Sequence, residues 1–240
     1  MWQGLYQELK DRNFIVIAIA LDSCGADAVR QWIRATEPTP PPMLELMGWG
    51  ERERAAAGAP TYPCLIDEKH VVAELYNIVN VPMAVWIDER GHIVRPAESA
   101  GACDAFRKLN LADFSIPPDA AAQAKAARTA YFNAIRDWVI NGEKSAYALP
   151  DNEARGRIAG LSEQDARANT LFRLGQYLFA QGHREDALKY LGEARRLRPD
   201  SWAIARQSWE IEEAGKASGP DFWAAVQALG DRPYYPPAKL

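Results

Sequence analysis

The chain lacks any apolar run near the roughly 18 to 20 residues needed to cross a bilayer, and Met1-Trp2-Gln3 opens neither a basic segment nor a signal-peptide core. A cytoplasmic location is the expectation. Its three cysteines, Cys24, Cys64 and Cys103, are odd in number and widely spaced, which excludes a disulfide framework or a metal-ligand pattern and predicts free, buried thiols. His70, His92 and His183 are scattered without ligand spacing, so no metal is expected. No glycine-rich phosphate loop is present, and none of the motifs calls for a cofactor. A net charge of -4 gives no reason to expect nucleic acid or an anionic membrane as partner.

What is present divides into two parts. In the first, Trp2, Leu5, Tyr6 and Leu9 stand at i, i+3, i+4 and i+7 and predict an amphipathic helix ending near Asp11-Arg12-Asn13. Phe14 to Leu21 reads as a buried parallel strand, and Ala26 to Ala35 as a second helix halted by Pro38 and the prolines behind it. Residues 36–61 are irregular and read as a surface insertion ahead of a lid. Tyr62 to Ile66 predicts a short strand and Val71 to Val79 a helix. An antiparallel hairpin follows, Met83 to Ile87 and His92 to Val94, turned by Asp88-Glu89-Arg90-Gly91. Cys103 to Leu109 predicts a closing helix.

From about Pro117 strand signals disappear and the sequence becomes alanine-rich with helical period. Ala120 to Ile140 predicts one long helix stopped by Asn141-Gly142. Leu171, Leu174, Gly175, Leu178, Ala187, Leu191, Ala194 and Pro199 occupy the spacing of a tetratricopeptide repeat, a two-helix unit of about 34 residues. One such unit cannot bury its apolar face alone, so the long helix and a helix from Trp202 to Ala214 are expected to supply its neighbours. Trp202 and Trp209 share a helix face and read as packing residues ahead of a groove lining. The tail, Tyr234-Tyr235-Pro236-Pro237, is expected to run along a surface or to be mobile.

The Phe14 to Asp22 strand, Tyr62-Pro63 to Asp67, and Val81-Pro82 through Val94 together resemble the redoxin branch of the thioredoxin-like proteins, the alkyl hydroperoxide reductase and thiol-specific antioxidant family. The resemblance covers residues 1 to about 110. It implies a cis peptide bond at Pro82 and a substrate groove shaped by Val81 and Pro82. It also implies a strand ending in Cys-x-x-Cys, or a lone reactive cysteine, ahead of the first helix, and the chain shows neither. Cys24, after a strand and before a helix, and Cys103, at the start of the closing helix, are the remaining candidate thiols, while Cys64 should be inert.

The expected fold is thus an α/β thioredoxin-like domain, N-terminally truncated, over residues 1–113, followed by an all-α repeat-like domain over 117–230. The absent strand would lie between Phe14–Leu21 and Met83–Ile87. Either an upstream strand precedes Met1, or the flanking strands close up, or another segment or chain fills the slot. Two functions follow. One is a thiol–disulfide or peroxide redox protein, inactive in this chain for want of its nucleophile. The other is a non-catalytic adaptor that binds a protein or peptide partner through its helical repeat.

Overall fold

The computed structural model describes residues 2–30, 33, 60–158 and 160–240. Among these it is a mixed α/β protein with small sheets and predominant helix. Most of the 36–61 excursion, and Trp32 with the end of the second expected helix, lie outside the described residues.

Helix α1, Trp2–Leu9, forms where the apolar spacing places it and buries Leu5 and Leu9. Asn13, at φ 54°, turns the chain toward β1. That strand is Ala18–Ala20, only the centre of the expected run, and it pairs in parallel with β2, Cys64–Ile66, with Ala18 opposite Cys64. Helix α2, Ala26–Arg30, lies in the crossover between them. Beyond β2 the carboxylate of Asp67 accepts bonds from the Val71 and Ala73 N–H groups at 2.8 and 3.0 Å, satisfying donors that the short helix α3, Val71–Leu75, leaves open at its start.

The hairpin is β3, Met83–Ile87, against β4, Ile93–Ser99. Asp88 builds its turn by accepting from the Arg90 and His92 N–H groups. Gly91, at φ 82°, supplies the left-handed residue. Strand β4 runs five residues past the expected Val94. Ala84 faces Glu98 while Trp86 faces Arg95, so β4 carries an extra residue there, and Pro96, which has no N–H to offer the ladder, sits in that irregularity. The expected helix at Cys103–Leu109 is a 3-10 turn over Asp104–Lys108.

Helix α4, Pro118–Asn141, ends at Gly142 as the sequence predicts, and opens with proline at its first position, two residues ahead of the expected Ala120. Its neighbours differ from expectation. Tyr131, Phe132, Ala134 and Ile135 form one core with Leu5, Leu9, Trp86 and Ala100, so its apolar face covers the hairpin and α1 instead of completing the repeat. The Trp86 indole N–H donates to the Tyr131 hydroxyl at 2.9 Å, and Trp138 stacks on Trp86.

Three further helices follow a short α5, Asp151–Arg157: α6, Glu163–Ala180, α7, Arg184–Leu197, and α8, Trp202–Glu212. Ser162 and Asp165 form a reciprocal cap at the start of α6. Helices α6 and α7 approach so closely that a methyl at Gly175 would stand 2.7 Å from Leu191, which is why glycine occupies that position. Phe172, Leu191, Ala194, Ile204 and Ile211 join α6, α7 and α8 in a second core. Helix α9, Pro220–Ala228, carries Phe222 and Val226 into an aromatic cluster with Trp202 and Tyr234. Neither α5 nor α9 is foreshadowed by the sequence reading.

The tail is anchored, not mobile. Tyr234 is buried, and the Tyr234 and Tyr235 N–H groups donate to Asp104 at 3.0 and 2.7 Å. Farther along, Arg95, 1% exposed, donates through Nε and Nη2 to the two carboxylate oxygens of Glu98 at 2.6 and 2.9 Å. It also donates to the Tyr147 carbonyl at 3.0 Å and the Lys239 carbonyl at 2.7 Å, and its guanidinium lies 5.3 Å from the Trp86 ring centroid. Arg95→Ala strands Glu98 and two carbonyls, and the expected loss of stability in urea unfolding is about 3–5 kcal/mol. A change below about 1 kcal/mol would contradict this role for the guanidinium.

Candidate functional site

Three places in the fold carry chemistry: the Val81-Pro82 corner with the sheet edges beside it, the cysteines, and the seam where the helical part meets the α/β part.

The Val81-Pro82 peptide is cis. Asn80, buried just ahead of it, accepts from the Val81 N–H at 2.8 Å and donates to the Tyr234 carbonyl at 3.0 Å. The Tyr235 hydroxyl donates to the Val81 carbonyl at 2.9 Å. The tail therefore covers the polar backbone of this corner, while Val81 and Pro82 stay exposed. Burial first, then the neighbouring Tyr234, pushes the Tyr235 phenol well above its ordinary range, so it stays protonated and donates.

The two sheets do not merge. Among the described residues β1 pairs only with β2 and β3 only with β4, so the flanking strands have not closed up. In a ladder the residues that bond one neighbour alternate with those facing the other side. Ala18 and Ala20 bond β2, which leaves the Ile17, Ile19 and Leu21 peptide groups on the open edge. Gln207 of α8 occupies the end of that edge, donating to the Leu21 carbonyl at 3.1 Å and accepting from the Ser23 N–H at 2.8 Å. Ile15, Ile17 and Leu65 are each more than half exposed along these strands.

All three cysteines are free. Cys24 is exposed, against the expectation of burial. Desolvation, then the carboxylates of Asp22 and Glu210, push its thiol up, the reverse of what a nucleophile needs. Its own N–H donates to Asp22 at 2.8 Å. Cys64 is half-buried, desolvation pushes its thiol up, and it donates to the Tyr62 carbonyl at 3.6 Å. Cys103 is half-buried ahead of the 3-10 turn, within electrostatic reach of the partly buried Arg128. Cys24 follows β1 and Cys103 follows β4, so the two candidate thiols stand on different sheets. Among the described residues no three His, Cys, Asp or Glu side chains converge as metal ligands, and no helix is long and apolar enough to cross a membrane.

The seam is polar. His70, only 5% exposed and at φ 54°, ends the turn before α3 and packs edge-on against Phe172 of α6. Gln176 reaches from α6 to Ser23 at 2.7 Å, to the Glu68 carbonyl at 3.0 Å and to His70 Nδ1 at 3.3 Å. Arg173 pairs with Glu74 at 2.9 Å, Arg198 donates to Asn77 and, at 3.1 Å, to Asn169, and the Ala203 N–H donates to the Val79 carbonyl at 2.9 Å. Elsewhere on the helical part, α7, α8 and α9 border a groove of about 490 Å³ lined by Trp209, Trp202, Arg195, Arg196 and Lys216. Trp202 is buried, as expected of a packing residue. Trp209 is half-buried with the Arg195 guanidinium 5.8 Å from its ring centroid, and it faces the groove.

The sequence marks His70 only as a histidine without ligand spacing. Its burial between the two parts follows from docking of α6, a long-range contact that leaves no local spacing pattern. No family model, curated protein or solved structure matches the chain.

Two outcomes follow for the thiols and the seam. Cys24 is accessible yet poorly ionised, so at neutral pH its alkylation by iodoacetamide is expected to be slower than that of a free cysteine; faster labelling would reverse the assignment. Burial holds His70 below its ordinary value near 6.5, with Asp67 and Asp22 opposing, and Glu74, Arg173 and Arg198 nearby in the seam. The unfolded chain then binds this proton first as pH falls, so the stability associated with neutral His70 is present above about pH 6.5 and declines below it. His70→Gln should flatten that part of the curve of unfolding midpoint against pH.

Proposed function

We propose that the chain is a non-catalytic binding protein in which a thioredoxin-like scaffold carries a tetratricopeptide-like helical unit. The scaffold reading is supported by the parallel β1–β2 crossover, the β3–β4 hairpin and the cis peptide at Pro82. The repeat reading is supported by the close α6–α7 pair, with Gly175 and Ala187 at the approach. Redox turnover by this chain is disfavoured by an exposed Cys24 whose ionisation is opposed by two carboxylates.

The observation that carries the binding reading is the groove at Trp209. Three cations, Arg195, Arg196 and Lys216, line it against two carboxylates, Glu212 and Asp221, beside the aromatic surface of Trp209. Glu212 and Asp221 are already held by Lys216, at 2.8 and 3.1 Å, and Arg195 lies 3.4 Å from Glu212, so Arg196, largely exposed and only 3.9 Å from its nearest carboxylate, Glu193, is the cation most available to a ligand. An extended peptide with acidic and apolar side chains matches this surface: an apolar group on Trp209 and a carboxylate toward Arg196.

The test is fluorescence anisotropy with labelled peptides of alternating Glu and Leu, compared with the same peptides carrying Lys for Glu. The acidic series should bind, and Trp209→Ala should weaken it by about tenfold or more. Equal binding of both series, or binding indifferent to Trp209→Ala, would remove the groove from consideration. Insulin reduction by the same preparation should be absent; turnover lost on Cys24→Ser would restore the redox reading.

A further inference from the structure

A cavity of about 20 Å³ lies in the seam, bordered by His70 and Glu74 from the α/β part and by Asn169, Phe172 and Arg198 from the helical part. His70, Asn169 and Arg198 are each more than nine-tenths buried, and each carries one nitrogen without a hydrogen-bond partner: His70 Nε2, Asn169 Nδ2 and Arg198 Nε. Asn169 Oδ1 accepts from Arg198 Nη1, which leaves the amide NH₂ as the free end. Arg198 Nε stands 3.5 Å from Asp165, an ion pair without a hydrogen bond. Gln176 spends its two amide hydrogens on Ser23 and the Glu68 carbonyl and has none left for His70 Nδ1, which donates its own hydrogen to that carbonyl. Neutral His70 therefore presents Nε2 as an acceptor.

Two donors and one acceptor are the complement of a water molecule, which accepts from two groups and gives a hydrogen to a third, and the volume holds one. Water adds no charge to a lining whose carboxylates and guanidinium groups are already paired. Protonation of His70 changes this fit. Nε2 then becomes a third donor, for which the water has no lone pair, and the new cation has little access to solvent. The charged groups around the ring are Asp67 and Glu74 from its own turn and helix, Glu68 with its carboxylate against Gly25, Asp22 from the end of β1, Arg173 from α6, and Arg198 from the end of α7 with Asp165 behind it. Helix α8 brings only Ala203 and Ile204, with Ser201 ahead of it.

We propose that one buried water joins His70 Nε2 to Asn169 and Arg198, and that this makes the seam a latch that acid opens. Its partners come from both sides, so the water is held only when the two parts are docked. Burial keeps the docked ring below its ordinary range, with Asp67, the Glu68 carbonyl and Asp22 opposing. The parted form regains the ordinary value of about 6.5 and binds the proton first as pH falls. Docking is thus at full strength above about pH 6.5 and weakens below it, by at most about tenfold per pH unit for a single proton. The cavity and the peptide groove share no residue, so the latch stands whether or not the groove binds peptide.

The experiment follows amide hydrogen exchange of the full chain at pH 7.5 and 5.5, corrected for the intrinsic rate. Two N–H groups bond across the seam, Ala203 to the Val79 carbonyl and Ser23 to the Gln207 side chain, and Leu149, bonded to the Val94 carbonyl, is the control within the α/β part. Protection at Ala203 and Ser23 should fall about fivefold at the lower pH while Leu149 keeps its own. His70→Gln, which cannot take up the proton, should remove the pH dependence whatever its basal protection. Crystals of the unaltered chain at neutral pH should show one water within hydrogen-bond distance of the three nitrogens, a readout that needs no variant to fold. Unchanged protection across the seam, a parallel loss at Leu149, the same pH dependence in His70→Gln, or an empty cavity at neutral pH would each overturn the proposal.

Discussion

The buried guanidinium of Arg95 is the constraint on which the α/β half depends. A charge with almost no access to water is tolerable only when every donor has a partner, and Arg95 finds its partners in three separate pieces of chain: Glu98 on its own strand, the carbonyl of Tyr147 and the carbonyl of Lys239. Those partners decide the path of much else. The loop after α4 must return to β4, where the Leu149 N–H also bonds the Val94 carbonyl, and the tail must cross the hairpin. Trp86 lies between this cation and Tyr131, so the polar network and the apolar core of α1, β3 and α4 share one side chain.

The join between the two parts has a different character. It carries many directed contacts: Gln176 beside Ser23, the Glu68 carbonyl and His70, Arg198 on Asn77 and Asn169, Arg173 on Glu74, and Gln207 at the end of β1. Polar contacts of this kind fix orientation more than they stabilise, because each replaces bonds to water. Apart from Gln207 at the end of β1, the open edges of β1 and β3 gain no partner from that docking among the described residues. Their backbone groups still face away from any partner strand among the described residues, with exposed Ile15 and Ile17 beside them.

Local pattern explains what was legible in the sequence. Apolar residues at helical spacing gave α1, α4, α6, α7 and α8. The Asp88 to Gly91 turn gave the hairpin, and Gly142 gave the end of α4. What escaped was decided at long range. Strand β4 continues through Pro96 because a bulge absorbs the missing donor, and nothing near Pro96 announces that the neighbouring arginine will be sealed. A lone repeat's need for neighbours points the long helix toward it, yet Tyr131 and Trp138 match Trp86. Of the candidate site, the cis peptide at Pro82 is what the resemblance implies, and the apolar run and turn after it mark the hairpin that follows. The seam was not legible, since His70, Asn77, Asn169 and Arg198 are dispersed polar residues that acquire meaning only when the two parts meet.

The clamp at the tail gives the molecule an order of assembly. Arg95 obtains its last partner from a residue 144 positions later, and Val81 obtains the Tyr235 hydroxyl from one 154 positions later. A hairpin that emerges early in synthesis is therefore left with a half-satisfied buried cation and an uncovered corner while the helical part is still being made. Folding cannot proceed simply from the first residue toward the last. The hairpin's contacts are completed only when Tyr235 and Lys239 of the tail reach it from the far end of the chain.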